Sequence, residues 1–382
     1  MFVLTIFVVA FVGSFAILYA RGYRLGVKEN NLEISPRGLL VANSDPNGAQ
    51  VLVNGELKTA TNATLSLSPG EYTVVVKKEG FIPWQKQITV RQEEVTQIDV
   101  FLIQSAPSLT PLTFTGVFNP QPAVDLAKIA YGVYDKENPE RSGLWILETV
   151  NLPLGFNRDP RRITDGELTA ATWEWSPDGR ELLLTTKTAT FLLPTGEYTP
   201  VAARVNVTAR LEEVHAEWKE KQDKQLASQI TKLPDEFEAT FTTHAKAIAF
   251  SPDETRILYT ASGTATLAPG VVKPFPGSST QKEERTVVDG MQYVYDLKED
   301  RNFAVGAKTE KLYWLANSLN VVSIQETSIS VIDYDGTNRQ VVFAGSFSFP
   351  HAYPSTNPNR LMILTNFGSK DSLPNLYWLS LK

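Results

Sequence analysis

The side chains able to do chemistry are few and scattered. His215, His244 and His351 are the only histidines, and they stand in three unrelated contexts. A histidine-rich zinc site needs several imidazoles brought together by spacing, which this sequence does not offer. There is no cysteine, so disulfides, thiol catalysis and cysteine-ligated metals are excluded. No H-E-x-x-H, G-x-S-x-G, P-loop or G-x-G-x-x-G signature occurs. A Ser-His-Asp triad has no local signature either; only a fold could assemble one. Asp333, Asp335 and Asn338 in DYDGTN are the residue types of a calcium loop. The loop pattern fails, because Gly336 follows at once and no glutamate stands six residues beyond it. Asp335-Gly336 between two alternating runs reads as a hairpin turn. Asp178 and Asp253, each in a Ser-Pro-Asp triplet, read as turn-capping carboxylates. The expectation is therefore no catalytic, cofactor or metal residue, and no enzyme.

The elements that hold these residues are mainly β. At 382 residues the chain can form two or three domains. Its 36 basic against 42 acidic residues give a net charge of −6, which offers nucleic acid no attraction. Residues 1–20, MFVLTIFVVAFVGSFAILYA, contain no charge, and twenty helical residues span about 30 Å, the thickness of a bilayer core. The expectation is an uncleaved transmembrane anchor. The run is too long for a signal-peptide core, has no basic leader and lacks a small-x-small cleavage site. Arg21, Arg24 and Lys28 follow it, so charge bias alone places the bulk of the chain in the cytoplasm. Residues 21–37 read as an irregular stalk.

Between residues 38 and 104 the apolar period is two. Leu39 and Val41, then Val51 and Val53, Leu65 and Leu67, and Tyr72, Val74 and Val76 alternate between turns at Asn54-Gly55 and Pro69-Gly70. This is a small β-sandwich. Tyr72, Phe81 and Trp84 are either its core or a ligand platform; aromatics alternating with valines favour the core. Lys77 and Lys78 beside Glu79 read as a solvated strand end. With Ser44, Pro46, Gly48-Ala49, Val53-Asn54-Gly55, Pro69-Gly70-Glu71-Tyr72 and Gly80-Phe81 in register, the segment resembles the PEGA domain. The resemblance implies an extracytoplasmic module, associated with surface layers and often beside a membrane anchor, without catalysis. The letters P-E-G-A themselves are absent.

Residues 105–113, rich in Pro, Ser and Thr, read as a linker. Beyond it the chain repeats. WEWSPDGRELLLTT (173–186) and IAFSPDETRILYTA (248–261) share an aromatic, Ser-Pro-Asp, a turn and a strand. LYWLANSLNVVSIQ (312–325), HAYPSTNPNRLMILT (351–365) and FNPQPAVDLAKIAYGV (118–133) are weaker copies. Hairpins of this kind bury their apolar faces when stacked radially. They resemble TolB-like and WD-repeat-like β-propellers, so residues 114–382 are expected to form five to seven blades.

Between the strong copies, residues 208–233 carry Leu211, Val214, Trp218, Leu226, Ile230 and Leu233 at helical spacing, with Thr208 as N-cap and Pro234 as stop. This amphipathic helix either packs on the propeller or meets a partner or membrane surface. Anchor, module and repeats together resemble bacterial membrane-anchored proteins that combine a PEGA domain with a propeller. The resemblance implies an extracytoplasmic location; the architecture sets the expectation of a single-pass, non-enzymatic binding or scaffolding protein with an envelope protein or glycan as partner. An enzyme acting on envelope glycans or peptides, and a sensor ectodomain, are the alternatives.

Overall fold

The computed structural model describes residues 2–20, 24–28, 31–35, 37–150, 159–231, 233, 235–270, 279–369 and 372–382. The chain divides into two compact units.

In the first unit, helix α1 spans Phe2–Ala20. Among the described residues no helix is long and apolar enough to cross a membrane. The transmembrane span expected over residues 1–20 is therefore not supported by the described residues. The stalk is not irregular throughout: Arg24–Lys28 and Asn31–Ser35 pair as an antiparallel hairpin. The missed signal is short: Leu25 and Val27, then Leu32 and Ile34, alternate over two strands of only five residues each.

The sandwich has two sheets. One orders Ala63–Leu67, Gly38–Asp45 and Val95–Phe101, the last two parallel. The other orders Glu56–Ala60, Gln50–Val53, Gly70–Lys77 and Trp84–Val90. Asn54 and Gly55 join two strands of the second sheet with φ of 50° and 84°, the left-handed pair that a two-residue hairpin requires. The alternation buries Leu40, Val51, Val53, Val74, Val76 and Ile88 between the sheets. Trp84 joins that core, and Tyr72 and Phe81 pack against it half-buried, so these aromatics do not form an exposed ligand platform. The Lys78 ammonium donates to the Asn47 carbonyl at 2.6 Å. In the same unit the edge strand Trp84–Val90 is covered: the Thr89 N–H donates to Thr280 Oγ1 at 3.2 Å, and Gln281 Nε2 donates to the Gln87 carbonyl.

Five four-stranded sheets follow one another along the chain; apart from residues 295–303, which cluster with the first unit, they belong to the second. They begin with the hairpins Phe118–Pro122/Lys128–Val133, Thr172–Trp175/Glu181–Thr185, Ala245–Phe250/Arg256–Ala261, Lys311–Trp314/Asn320–Ile324 and Ala352–Pro354/Arg360–Thr365. These are the five repeat copies, and among the described residues they make five blades. No sheet closes on itself; the sheets stack face to face as propeller blades do. Blades one and two share a core containing Ile146, Ile163, Trp173 and Leu182. Blades one and five share Ile129, Tyr131, Met362 and Trp378. Blades three and four share Leu258, Val294, Trp314 and Val321. Tyr313 and Tyr353 meet edge to face across blades four and five, with centroids 6.3 Å apart.

Residues 105–113 are more than a linker. Leu109–Pro111 is the outer strand of the fifth sheet, paired with Asn375–Ser380, which ties the first strand of the blades to the last. Three residues ending in proline carry no strand signal by themselves.

The helical insertion is also larger than the sequence indicates. Helix α2 is Leu211–Ile230, and a second helix, α3, is Asp235–His244. Val214 and Trp218 of α2 pack on Leu183 and Val207 of blade two. Phe241 of α3 stacks edge to face on Tyr259 of blade three at 5.0 Å. The helices thus contact the two blades that have no direct core in common among the described residues. Thr208 is not the N-cap. It lies in a single helical turn, Thr208–Arg210, and its hydroxyl accepts the Thr190 N–H at 2.9 Å. Pro234, read as the stop, lies outside the described residues. On the exposed face of α2, Glu220 and Lys224, one turn apart, meet at 2.5 Å.

Candidate functional site

The turns between the first two strands of the blades are all made the same way. Three residues past the first strand stands Asp125, Asp178, Asp253, Asn317 or Asn357. Its Oδ1 accepts the N–H two residues on, from Ala127, Arg180, Thr255, Leu319 and Asn359, at 3.0, 3.2, 3.1, 3.0 and 2.9 Å. This is an Asx turn, in which a short side chain replaces a backbone acceptor. In four of the five, a backbone hydrogen bond closes the loop from Ala123, Ser176, Ser251 or Leu315 to the carbonyl five residues later. The residue after the Asx is left-handed in the same four: Leu126, Gly179, Glu254 and Ser318, with φ from 56° to 64°. Pro358 stands there in the fifth, where its ring forbids positive φ.

In the two Ser-Pro-Asp copies the serine hydroxyl also donates to the aspartate at 2.7 Å. That bond comes first in holding the Asp178 carboxyl below its ordinary range. Burial pushes the Asp253 carboxyl up, but hydrogen bonds from Ser251 and Thr255 outweigh it and the net shift is downward. Both carboxylates are spent on their turns.

Four of these turns converge. A cavity of about 620 Å³ is lined by residues 122–126 of blade one, Ala249, Phe250 and Pro252 of blade three, residues 312–314 and Ala316 of blade four, and Ser355 and Thr356 of blade five. Its wall is apolar apart from Asp125, the Tyr313 hydroxyl, Ser355 and Thr356. Indole N–H groups lock adjacent blades near it: Trp314 Nε1 donates to the Ala249 carbonyl at 2.9 Å, and Trp175 Nε1 to the Gln121 carbonyl at 2.8 Å. Burial raises the Tyr313 hydroxyl above its ordinary pKa, so it stays protonated and is a donor. Sequence reading missed the cavity because its walls are ordinary turn and strand-end residues that only the arrangement of the blades gathers at one end.

The histidines are not brought together. His215 Nε2 lies 3.5 Å from Glu174 Oε2 on an exposed face. The His244 carbonyl accepts the Ser262 N–H at 2.9 Å. His351 Nδ1 is 2.7 Å from the Tyr353 hydroxyl, which donates to the Pro120 carbonyl at 2.9 Å; burial lowers the His351 pKa. Asp333, Asp335 and Asn338 build a turn. Gly336, at φ 81°, donates to the Asp333 carbonyl, Asp335 Oδ1 accepts the Thr337 hydroxyl at 2.6 Å, and Asn338 Nδ2 donates to Asp333 Oδ2 at 3.1 Å. Among the described residues no group of three His, Cys, Asp or Glu could hold a metal ion.

Residues 37–106 match the family model described as PEGA domain. No curated protein matches the chain. Solved structures that resemble it include a putative TolB from Agrobacterium tumefaciens, at 12% identity and a TM-score of 0.22, covering 75% of this chain and 76% of that one. TolB from Acinetobacter baumannii is 13% identical with a TM-score of 0.19, over 81% of this chain and 60% of that one. An acylaminoacyl peptidase from Pyrococcus horikoshii is 13% identical with a TM-score of 0.21, over 68% of this chain and 37% of that one. At these scores the likenesses say nothing about activity. The chain thus joins a segment matching the PEGA domain to five blades of the β-propeller type.

Proposed function

We propose that this protein is a non-enzymatic, membrane-anchored receptor of the cell envelope, which holds its blades outside the membrane and binds an envelope partner at the turn-lined cavity. The observation that carries this reading is the cavity itself: turns from four blades meet around an apolar space whose single carboxylate, Asp125, already accepts a backbone hydrogen bond. Such a wall can bury ligand surface, but it has no paired acids or base-oriented nucleophile for general acid–base chemistry. The anchor rests on the sequence of residues 1–20, an apolar run without a charged side chain. Phe7 and Phe11 are 74% and 73% exposed on it, so no described residue covers them. The outside placement rests on the PEGA match.

The test is a photo-crosslinking amino acid placed in cells at Val124, 62% exposed on the cavity rim, and separately at Val341, 55% exposed on the outer strand of blade four. The expected result is a discrete adduct from Val124 and none from Val341, with the chain retained in alkali-washed membranes. Equal labelling at both positions contradicts binding at the cavity, and recovery of the chain in the wash contradicts the anchor.

A further inference from the structure

Asp125 differs from the other four turn residues in its setting, since it alone among them lines the cavity. Its Oδ1 accepts the Ala127 N–H at 3.0 Å, and its Oδ2 accepts nothing among the described residues. Lys128, the basic residue nearest in sequence, is turned away, its ammonium donating to the Gly179 carbonyl of blade two at 3.0 Å. The carboxylate, exposed to solvent at the edge of an apolar space, therefore has no cationic partner among the described residues. Phe250, Leu312, Tyr313 and Trp314 supply that space, and two of their polar groups sort by availability. The Trp314 N–H is taken by Ala249, whereas the Tyr313 hydroxyl makes no hydrogen bond among the described residues.

We infer that the cavity recognises a peptide segment in which a lysine or arginine stands between bulky apolar residues, the cation pairing with Asp125 and the apolar side chains entering the space walled by Phe250 and Trp314. This rests on the proposed receptor function and names its ligand. A neutral ligand leaves the carboxylate unpaired as water is expelled, and an anionic one meets like charge; both are disfavoured by the same residue. Aromatic faces beside the carboxylate also favour a cation. The fold supplies its own control: Asn317 and Asn357 make the same turn in blades four and five, so Asp125→Asn removes the charge and keeps the turn.

The test uses the full chain in nanodiscs, titrated with the acetylated, amidated tripeptides Phe-Lys-Phe, Phe-Gln-Phe and Phe-Glu-Phe, with empty nanodiscs as blank. Phe-Lys-Phe is expected to bind about tenfold or more tightly than the other two, the scale of one charge-assisted hydrogen bond, and Asp125→Asn is expected to erase that preference. Equal binding of all three, unchanged in Asp125→Asn, overturns the inference while leaving the cavity a binding site. Binding of none overturns it too; if the Val124 adduct is also missing, the receptor reading falls with it.

Discussion

A chain ending at Pro374 is expected to lose the cooperative unfolding transition of the blades. The missing residues include Leu376, Trp378, Leu379 and Leu381, which are between 0% and 6% exposed. Burying a large apolar side chain contributes about 1.5–3 kcal/mol, so the four together contribute roughly 6–12 kcal/mol. That is comparable to the whole stability of an ordinary domain, about 5–15 kcal/mol. The lost strand, Asn375–Ser380, is also the partner of both Arg360–Thr365 and Leu109–Pro111. Its side chain at Asn375 accepts hydrogen bonds from the Thr113 hydroxyl at 3.0 Å and the Gly116 N–H at 3.1 Å. Near-UV circular dichroism through a denaturant series reads the outcome. A truncated chain that keeps the full-length midpoint contradicts the role given to this strand.

The second large effect is expected at Asp300, in the first unit. Its carboxylate side chain is 1% exposed and 3.2 Å from Arg285 Nη1; it accepts the Tyr295 hydroxyl at 2.5 Å and the Gly270 N–H at 2.8 Å. Burial, followed by the bond to Asp300, raises the Tyr295 hydroxyl far above its ordinary pKa, so it is a donor throughout the working range. Asp300→Ala takes the carboxylate partner away from the Arg285 charge, 17% exposed, and from the Tyr295 hydroxyl. Breaking a buried pair on one side costs about 3–5 kcal/mol. Glu283 Oε2, 3.0 Å from Arg285 Nε, retains part of the compensation, which sets the expected loss near the lower end, about 3 kcal/mol. Asp300→Asn should lose clearly less, because the amide keeps an acceptor and tolerates the left-handed backbone at φ 50°. Urea midpoints of the two variants check this, and equal losses contradict the account of Asp300 as a charge partner.

What the sequence discloses follows from how local each signal is. The sandwich is legible because Val51, Val53, Val74 and Val76 alternate within single strands and Asn54-Gly55 names its own turn. Five repeat copies are legible, though not the number of blades, because Asp178 and Asp253 repeat one turn, and Asn317, Asn357 and Asp125 repeat it with substitutions that preserve the acceptor. Leu109–Pro111 is not legible, since its strand character comes from a partner more than 260 residues away. Helix α3 is obscured by its length, ten residues with Phe237 and Phe241 as its buried apolar pair. The Thr208 N-cap reading fails because a strand amide at Thr190 competes for the hydroxyl, a tertiary demand that local capping rules do not contain. The candidate site was hidden for the same reason: Ala249, Trp314 and Val124 are unremarkable one by one, and the stacking of blades makes them a wall.

Binding without turnover is the central claim, and a time course tests it most directly. The full chain in nanodiscs is incubated with the isolated cell envelope of the producing organism, and both retention of the chain and release of soluble fragments are followed. The account predicts retention that saturates at a fixed stoichiometry, falls when Ala316→Trp fills the cavity, and releases no fragment above the envelope-only control. Soluble products that accumulate steadily with time at a small, fixed amount of chain, and that Ala316→Trp abolishes, would contradict it.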